Sequence, residues 1–100
     1  MKPFEWNNKK NEWLQKERGI SFEEIVIALN DGKVIDTYEH SNQEKYPGQK
    51  IFVLEIEEYA YIVPFIEDND KIFLKTIYRS RKATQKYLKK GVNKYGELDQ

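Results

Sequence analysis

Residues 71–90 read KIFLKTIYRSRKATQKYLKK, and this stretch decides how the rest of the chain is read. Its first half alternates apolar and basic residues with a period of two, the pattern of a strand. Its second half carries lysines at helical spacing. The spacing predicts a β-strand that runs through a dense basic patch into a basic amphipathic helix. In a regular strand Lys71, Lys75, Arg79 and Arg81 share one face, and Ile72, Leu74 and Tyr78 share the other. Phe73 and Ile77 interleave with the cations, so the basic face starts half-buried and opens towards its end. In the following helix Lys82, Lys86, Lys89 and Lys90 fall within roughly a 100° arc at about 3.6 residues per turn. Ala83, Tyr87 and Leu88 lie on the far side, towards the sheet. Strand end and helix start therefore bring Arg79, Arg81 and Lys82 together where the chain bends. Phosphate is the ligand that suits such a bend, because the planar guanidinium fork matches it bidentately and helix N-terminal amides add to the attraction.

The rest of the chain balances this charge. The 100 residues have a formal net charge of zero. Residues 1–70 carry 8 basic against 15 acidic side chains, whereas residues 71–96 carry 9 basic and no acidic ones. An uneven distribution of this kind points to a polyanion or a partner of complementary charge, and its bland alternative is a solvated helix face. With no cysteine, disulfides and thiolate metal sites are excluded. No apolar run approaches the ~20 residues that span a bilayer, and MKPFEWNNKK has no apolar core of a signal peptide. A cytoplasmic, single-domain protein is the expectation for residues 1–100, with no membrane association.

Upstream of the basic stretch, Phe4 and Trp6 lie in a short lead-in, and NNKKNEWLQKER reads as a helix with thin apolar content, ended by Gly19 in the left-handed C′ position. Ser21 with Glu24 forms a capping box, and Ile20 with Ile25 a hydrophobic staple, so a second helix starts at residue 22. Phe22, Ile25, Val26 and Leu29 make its apolar face before Asn30-Asp31-Gly32 breaks it. Strands are expected over residues 33–38, 50–56 and 59–66, with a polar loop turning at Pro47-Gly48 and a tight connection at Glu57-Glu58. Consecutive apolar positions in the middle strands (Ile51–Leu54, Ile62, Val63, Phe65, Ile66) indicate cover on both faces. Pro64 cannot donate to a ladder, so its strand is an edge or is bulged there. The expectation is an α+β fold: a small four-stranded antiparallel sheet with two N-terminal helices and one C-terminal helix.

No Gly-rich phosphate loop, metalloprotease motif, nucleophile elbow or metal-spaced His/Asp cluster is present. No metal and no cofactor is implied. His40 is the sole histidine, a surface loop residue or a general acid or base. Trp6 and Trp13 are packing residues or platforms for base stacking, and Tyr78 stands next to Arg79.

A set of short motifs carries a resemblance. Phe-Glu-Trp (residues 4–6), a Lys/Asn-rich helix, Arg-Gly-Ile-Ser-Phe-Glu-Glu (18–24), Glu-His-Ser (39–41) and Ser-Arg-Lys-Ala-Thr (80–84) before a basic helix follow in an order that resembles the BrnT toxins. The chain departs from many of them with Glu17-Arg18-Gly19 for Lys-His-Gly, and Arg79-Ser80-Arg81 for Ser-Ala-Arg. The resemblance implies a compact RelE-like fold and a metal-independent endoribonuclease of a type II toxin–antitoxin system. It also implies a cognate antitoxin with a ribbon-helix-helix DNA-binding part, through which alone the toxin would reach operator DNA. On this basis the expected catalytic residues are His40, Arg79 and Arg81, with Lys71, Lys75, Tyr78, Lys82 and Lys86 holding RNA. The competing expectation is a non-catalytic module that binds RNA or docks a protein through the same surface.

Overall fold

The computed structural model describes residues 2–88, so Lys89 and Lys90 of the basic helix lie outside the described residues. The chain opens with a two-residue strand β1 (Phe4–Glu5), then helices α1 (Asn8–Arg18) and α2 (Phe22–Asn30). Strands β2 (Val34–Glu39), β3 (Gln49–Ile56), β4 (Tyr59–Glu67), β5 (Ile72–Leu74) and β6 (Tyr78–Arg79) follow. The last element begins as an α-turn, α3 (Arg81–Ala83), and continues as a π-helical turn over Thr84–Leu88. The α+β class stands, but the four-stranded antiparallel sheet is corrected to a mixed six-stranded one ordered β1-β5-β4-β3-β2, with β6 also on β4. Phe4 of the lead-in adds a parallel strand to β5, pairing with Ile72. The helices α1 and α2 therefore follow a strand rather than starting the fold. Among the described residues no helix is long and apolar enough to cross a membrane.

Local signals explain the two helices. Asn7 caps α1 by accepting from Lys10 N–H, and Gly19 ends it at φ 68°. Only Asn11 and Leu14 of α1 are buried, as its thin apolar content requires. The capping box of α2 forms in full, with Ser21 accepting from Glu24 N–H and the Glu24 carboxylate accepting from Ser21 N–H. The side chain of Asn11 joins the two helices: its Oδ1 accepts from Phe22 N–H at 2.7 Å and its Nδ2 donates to Glu23 at 2.7 Å.

The sheet is covered on both faces, as the continuous apolar runs of β3 and β4 demand. On one face Leu14, Phe22 and Ile25 pack with Leu54, Val63, Phe65 and Leu74, and Trp6 stacks on Phe22 at 5.6 Å. On the other, Ile51, Val53 and Ala60 pack against Ala83, flanked by Tyr87 and Leu88. Glu57 and Glu58 link β3 and β4 with φ of 53° and 65°, the positive angles a two-residue hairpin turn of the right hand needs.

The expected long last strand is broken in two. Between the Phe65↔Leu74 and Ile62↔Tyr78 pairs, β4 contributes two residues and the facing chain three, Lys75–Ile77. That single extra residue is a bulge, and it sits opposite Pro64, whose carbonyl accepts from Lys75 N–H at 2.8 Å. A strand residue points its N–H and C=O to the same side, so the donor that Pro64 lacks would have faced this edge. Thr76 in the bulge buries its Oγ1 with no hydrogen-bond partner among the described residues. The extra residue also reverses the side-chain alternation. Arg79 pairs with Tyr61, four residues from Phe65, the partner of Leu74, and so shares the face of Leu74 rather than that of Phe73. The expectation that Lys71, Lys75, Arg79 and Arg81 share one strand face is thereby overturned.

Candidate nucleic-acid interface at the strand-to-helix bend

The bend is built by the Ser-Arg-Lys-Ala-Thr segment, and three of its five residues hold structure. Ser80 continues the β4 pairing through its N–H to Ala60 C=O (3.0 Å) and caps α3 by accepting from Ala83 N–H (3.0 Å). Ala83 is buried against the sheet. Thr84, 2% exposed, accepts from Ala60 N–H at 2.9 Å and donates to Ser80 C=O at 2.7 Å. One hydroxyl thus closes the end of β4 and fixes the angle at which the last helix leaves the sheet. Thr84→Val, nearly isosteric, leaves the buried Ala60 N–H unpaired. It is expected to cost about 1–3 kcal/mol, read as a fall in Tm of about 4–8 °C per kcal/mol in a thermal melt.

The other two residues, Arg81 and Lys82, are exposed and diverge. Arg81 lines a concavity of about 530 Å³ with Tyr59, Arg79, Thr84 and Gln85. Lys82 and Lys86 line a separate groove of about 490 Å³ against Asp36, Tyr38 and Tyr87. There Tyr87 donates its hydroxyl to Asp36 Oδ2 at 2.6 Å. That bond holds the Asp36 carboxyl below its ordinary range and pushes the Tyr87 phenol up. The convergence of Arg79, Arg81 and Lys82 is therefore corrected to Arg79 and Arg81, with Lys82 on the opposite flank of the turn.

Arg79 also borders a second concavity of about 480 Å³, lined by Glu17, Arg18, Ile20, Ile77 and Tyr78. Its guanidinium sits 4.3 Å over the Tyr59 ring, and that of Arg18 lies 4.9 Å from the Trp13 ring and 5.4 Å from the Tyr78 ring. Arg18 is anchored by Nη1–H to Ile77 C=O at 2.7 Å. Among the described residues the ion pairs are Lys2–Glu67 and Lys71–Asp68, so Arg18, Arg79 and Arg81 carry no carboxylate partner. Three arginines that form no ion pair among the described residues, with Glu17 the carboxylate nearest them in the lining, interleave with the exposed rings of Trp13 and Tyr78 and make a surface suited to phosphates and unstacked bases. Arg18 was not among the expected site residues, and Trp13, expected to pack or to stack on a base, is brought beside it by α1 from a distant part of the sequence.

The remaining expected site residues lie elsewhere. Lys71 is half-buried and paired with Asp68 at 3.7 Å, and Lys75 lies in the bulge, 5.6 Å over the Phe73 ring. His40 follows β2, its N–H bonded to Gln49 C=O, its Nδ1 accepting from Asn42 N–H at 3.0 Å, and its ring 4.4 Å from that of Tyr46. Gln49 and the Tyr61-paired Leu54 are five residues apart on β3, and β2 is three strand spacings from β6. At ~3.3 Å per residue and ~4.8 Å per spacing, His40 is roughly 20 Å from Arg79. It does not join the arginines. Among the described residues no group of three or more His, Asp or Glu could hold a metal ion.

Fold and surface together define a small α+β domain that gathers arginines and aromatic rings along one edge of its sheet. Residues 14–79 match the model of the family described as Domain of unknown function (DUF4258), more than half of the chain, and the chain belongs to that family. No curated protein and no solved structure matches it.

Proposed function

We propose that the chain is an endoribonuclease toxin of the BrnT type, with its sheet and helices read as RelE-like, neutralised by a cognate antitoxin with a ribbon-helix-helix part. The observation that carries the reading is the pair Arg79 and Arg81 on one concavity that no carboxylate of the described residues lines, continuous through Arg79 with the concavity of Arg18 and Glu17. The reaction is transphosphorylation of the RNA backbone. A base takes the 2′-OH proton, the oxygen forms a bond to the adjacent phosphorus, and the P–O5′ bond breaks as an acid protonates the leaving oxygen. The products are a 2′,3′-cyclic phosphate and a 5′-hydroxyl. Charge grows on the phosphoryl oxygens, and guanidinium groups already in place stabilise it. A histidine roughly 20 Å away is out of proton-transfer reach of a phosphate held there. Among the described residues the one carboxylate lining either arginine concavity is Glu17, and in this reading it accepts the proton.

Incubating purified protein, free of any co-purified partner, with single-stranded RNA in EDTA tests the reading. Cleavage leaving cyclic-phosphate ends supports it. A gel shift with intact RNA replaces it with the non-catalytic binding module, and neither cleavage nor shift removes RNA as the partner.

A further inference from the structure

We propose that Trp13, Arg18 and Tyr78 form a stacking track for single-stranded RNA, leading along α1 into the Arg79 concavity. This rests on the ribonuclease reading and names how the substrate strand is held.

Four observations converge on it. Trp13 is 44% exposed and Tyr78 is 47% exposed, high values for rings in a chain whose other tryptophan is half-buried and stacked on Phe22. Helix α1 packs through Asn11 and Leu14, and Trp13 is not among the side chains packed on either core cluster. Arg18 stands within 5.4 Å of both ring centroids, and its Nη1–H bond to Ile77 C=O fixes the guanidinium between α1 and β6. Lys10 adds a second cation 4.7 Å over the Trp13 ring. The order along the surface is Lys10, Trp13, Arg18, Tyr78, Arg79: cations and rings in alternation.

A nucleic-acid strand offers the matching alternation of phosphates and bases. Aromatic rings stack on any base, cations follow the backbone, and a guanidinium does both. A duplex keeps its bases stacked inside and cannot use the rings, so the track selects single strands. An acidic protein partner would engage the cations but gain little from the ring faces, and is the less suited occupant.

The test uses the whole chain and an RNA carrying 2′-O-methyl groups throughout, which removes the attacking hydroxyl so that binding is measured without cleavage. Binding is expected to quench the emission of the exposed Trp13, while Trp6 remains packed on Phe22. Trp13→Ala is expected to weaken binding about 5- to 150-fold, the range for losing one stacked base. Trp13→Phe should retain most of the affinity, which separates stacking from any damage to the fold. The same sequence as a duplex should bind more weakly. If wild type binds single strands and Trp13→Ala binds them equally well, the track is overturned while the ribonuclease reading stands. If wild type neither binds this RNA nor cleaves unmodified RNA, both fall.

Discussion

Arg79→Ala is expected to lower RNA cleavage about 10²–10³-fold, the loss typical of removing one preorganised donor to a developing oxyanion. The magnitude follows from position. Arg79 is the residue shared by both arginine concavities, and its side chain lies over the Tyr59 ring rather than against a carboxylate. A guanidinium held in this way meets the transition-state charge without first breaking an ion pair. Its removal forfeits one exposed cation–π contact, about 0.5–1 kcal/mol, so the variant should melt close to wild type. Arg79→Lys keeps the charge but loses the planar fork, and should recover only part of the rate. Arg81→Ala, which lines one concavity alone, should follow in the same direction. Lys82→Ala and Lys86→Ala, on the other flank of the turn, should weaken binding of all RNAs modestly and leave the rate at saturation unchanged. The rate at saturating RNA separates these cases. A folded Arg79→Ala protein that cleaves at the wild-type rate removes the arginine pair from the mechanism.

The basic stretch announced the site in the sequence, but its geometry was only half legible there. Capping chemistry is local, so Ser21, Glu24 and Gly19 could be read as they occur. Two-faced cover of β3 and β4 was also visible, because consecutive apolar residues have no other solvent-safe arrangement. The bulge was legible as one of two consequences of Pro64, an edge or an irregularity. Which residue the facing strand would add, and hence which face Arg79 would take, depends on register across strands and leaves no mark in the periodicity of either one. For the same reason the two-residue parallel strand at Phe4 passed as a lead-in. The π-helical turn at Thr84–Leu88 shifts the phase on which a 3.6-residue spacing relies, and it accompanies a separation of Arg81 from Lys82 and Lys86. His40 shows the limit most plainly. A Glu-His-Ser motif carries chemistry by resemblance, yet only the strand register sets its distance from the arginines.

Asn11→Leu is expected to lower stability by about 2–4 kcal/mol, since it orphans a buried backbone donor and deletes a hydrogen bond to a charged group. Asn11 is 6% exposed and ties α1 to the start of α2 through Phe22 N–H and the Glu23 carboxylate. Leucine fills the same space but accepts nothing, so Phe22 N–H, one of the amides that no helix can satisfy internally, stays unpaired. The fall in Tm should be about 4–8 °C for each kcal/mol. A pH signature distinguishes this cause from a packing defect. The Asn11 amide is the main reason the Glu23 carboxyl titrates below its ordinary value of 4.5. A lowered folded pKa gives stability that is present above 4.5 and lost as pH falls through the folded value. Wild type should therefore lose part of its advantage over Asn11→Leu under acid, and the two melting curves should approach each other. Asn11→Asp keeps the acceptor for Phe22 N–H but sets a second carboxylate against Glu23. Its deficit should be present at neutral pH and shrink as either acid is protonated. Because α1 also carries Trp13 and Arg18, loosening its tie to α2 displaces the proposed stacking track along with the fold. Asn11→Leu should then lose RNA affinity at temperatures well below its Tm. A parallel, pH-independent loss of stability in the leucine and aspartate variants would place Asn11 among ordinary packing residues instead.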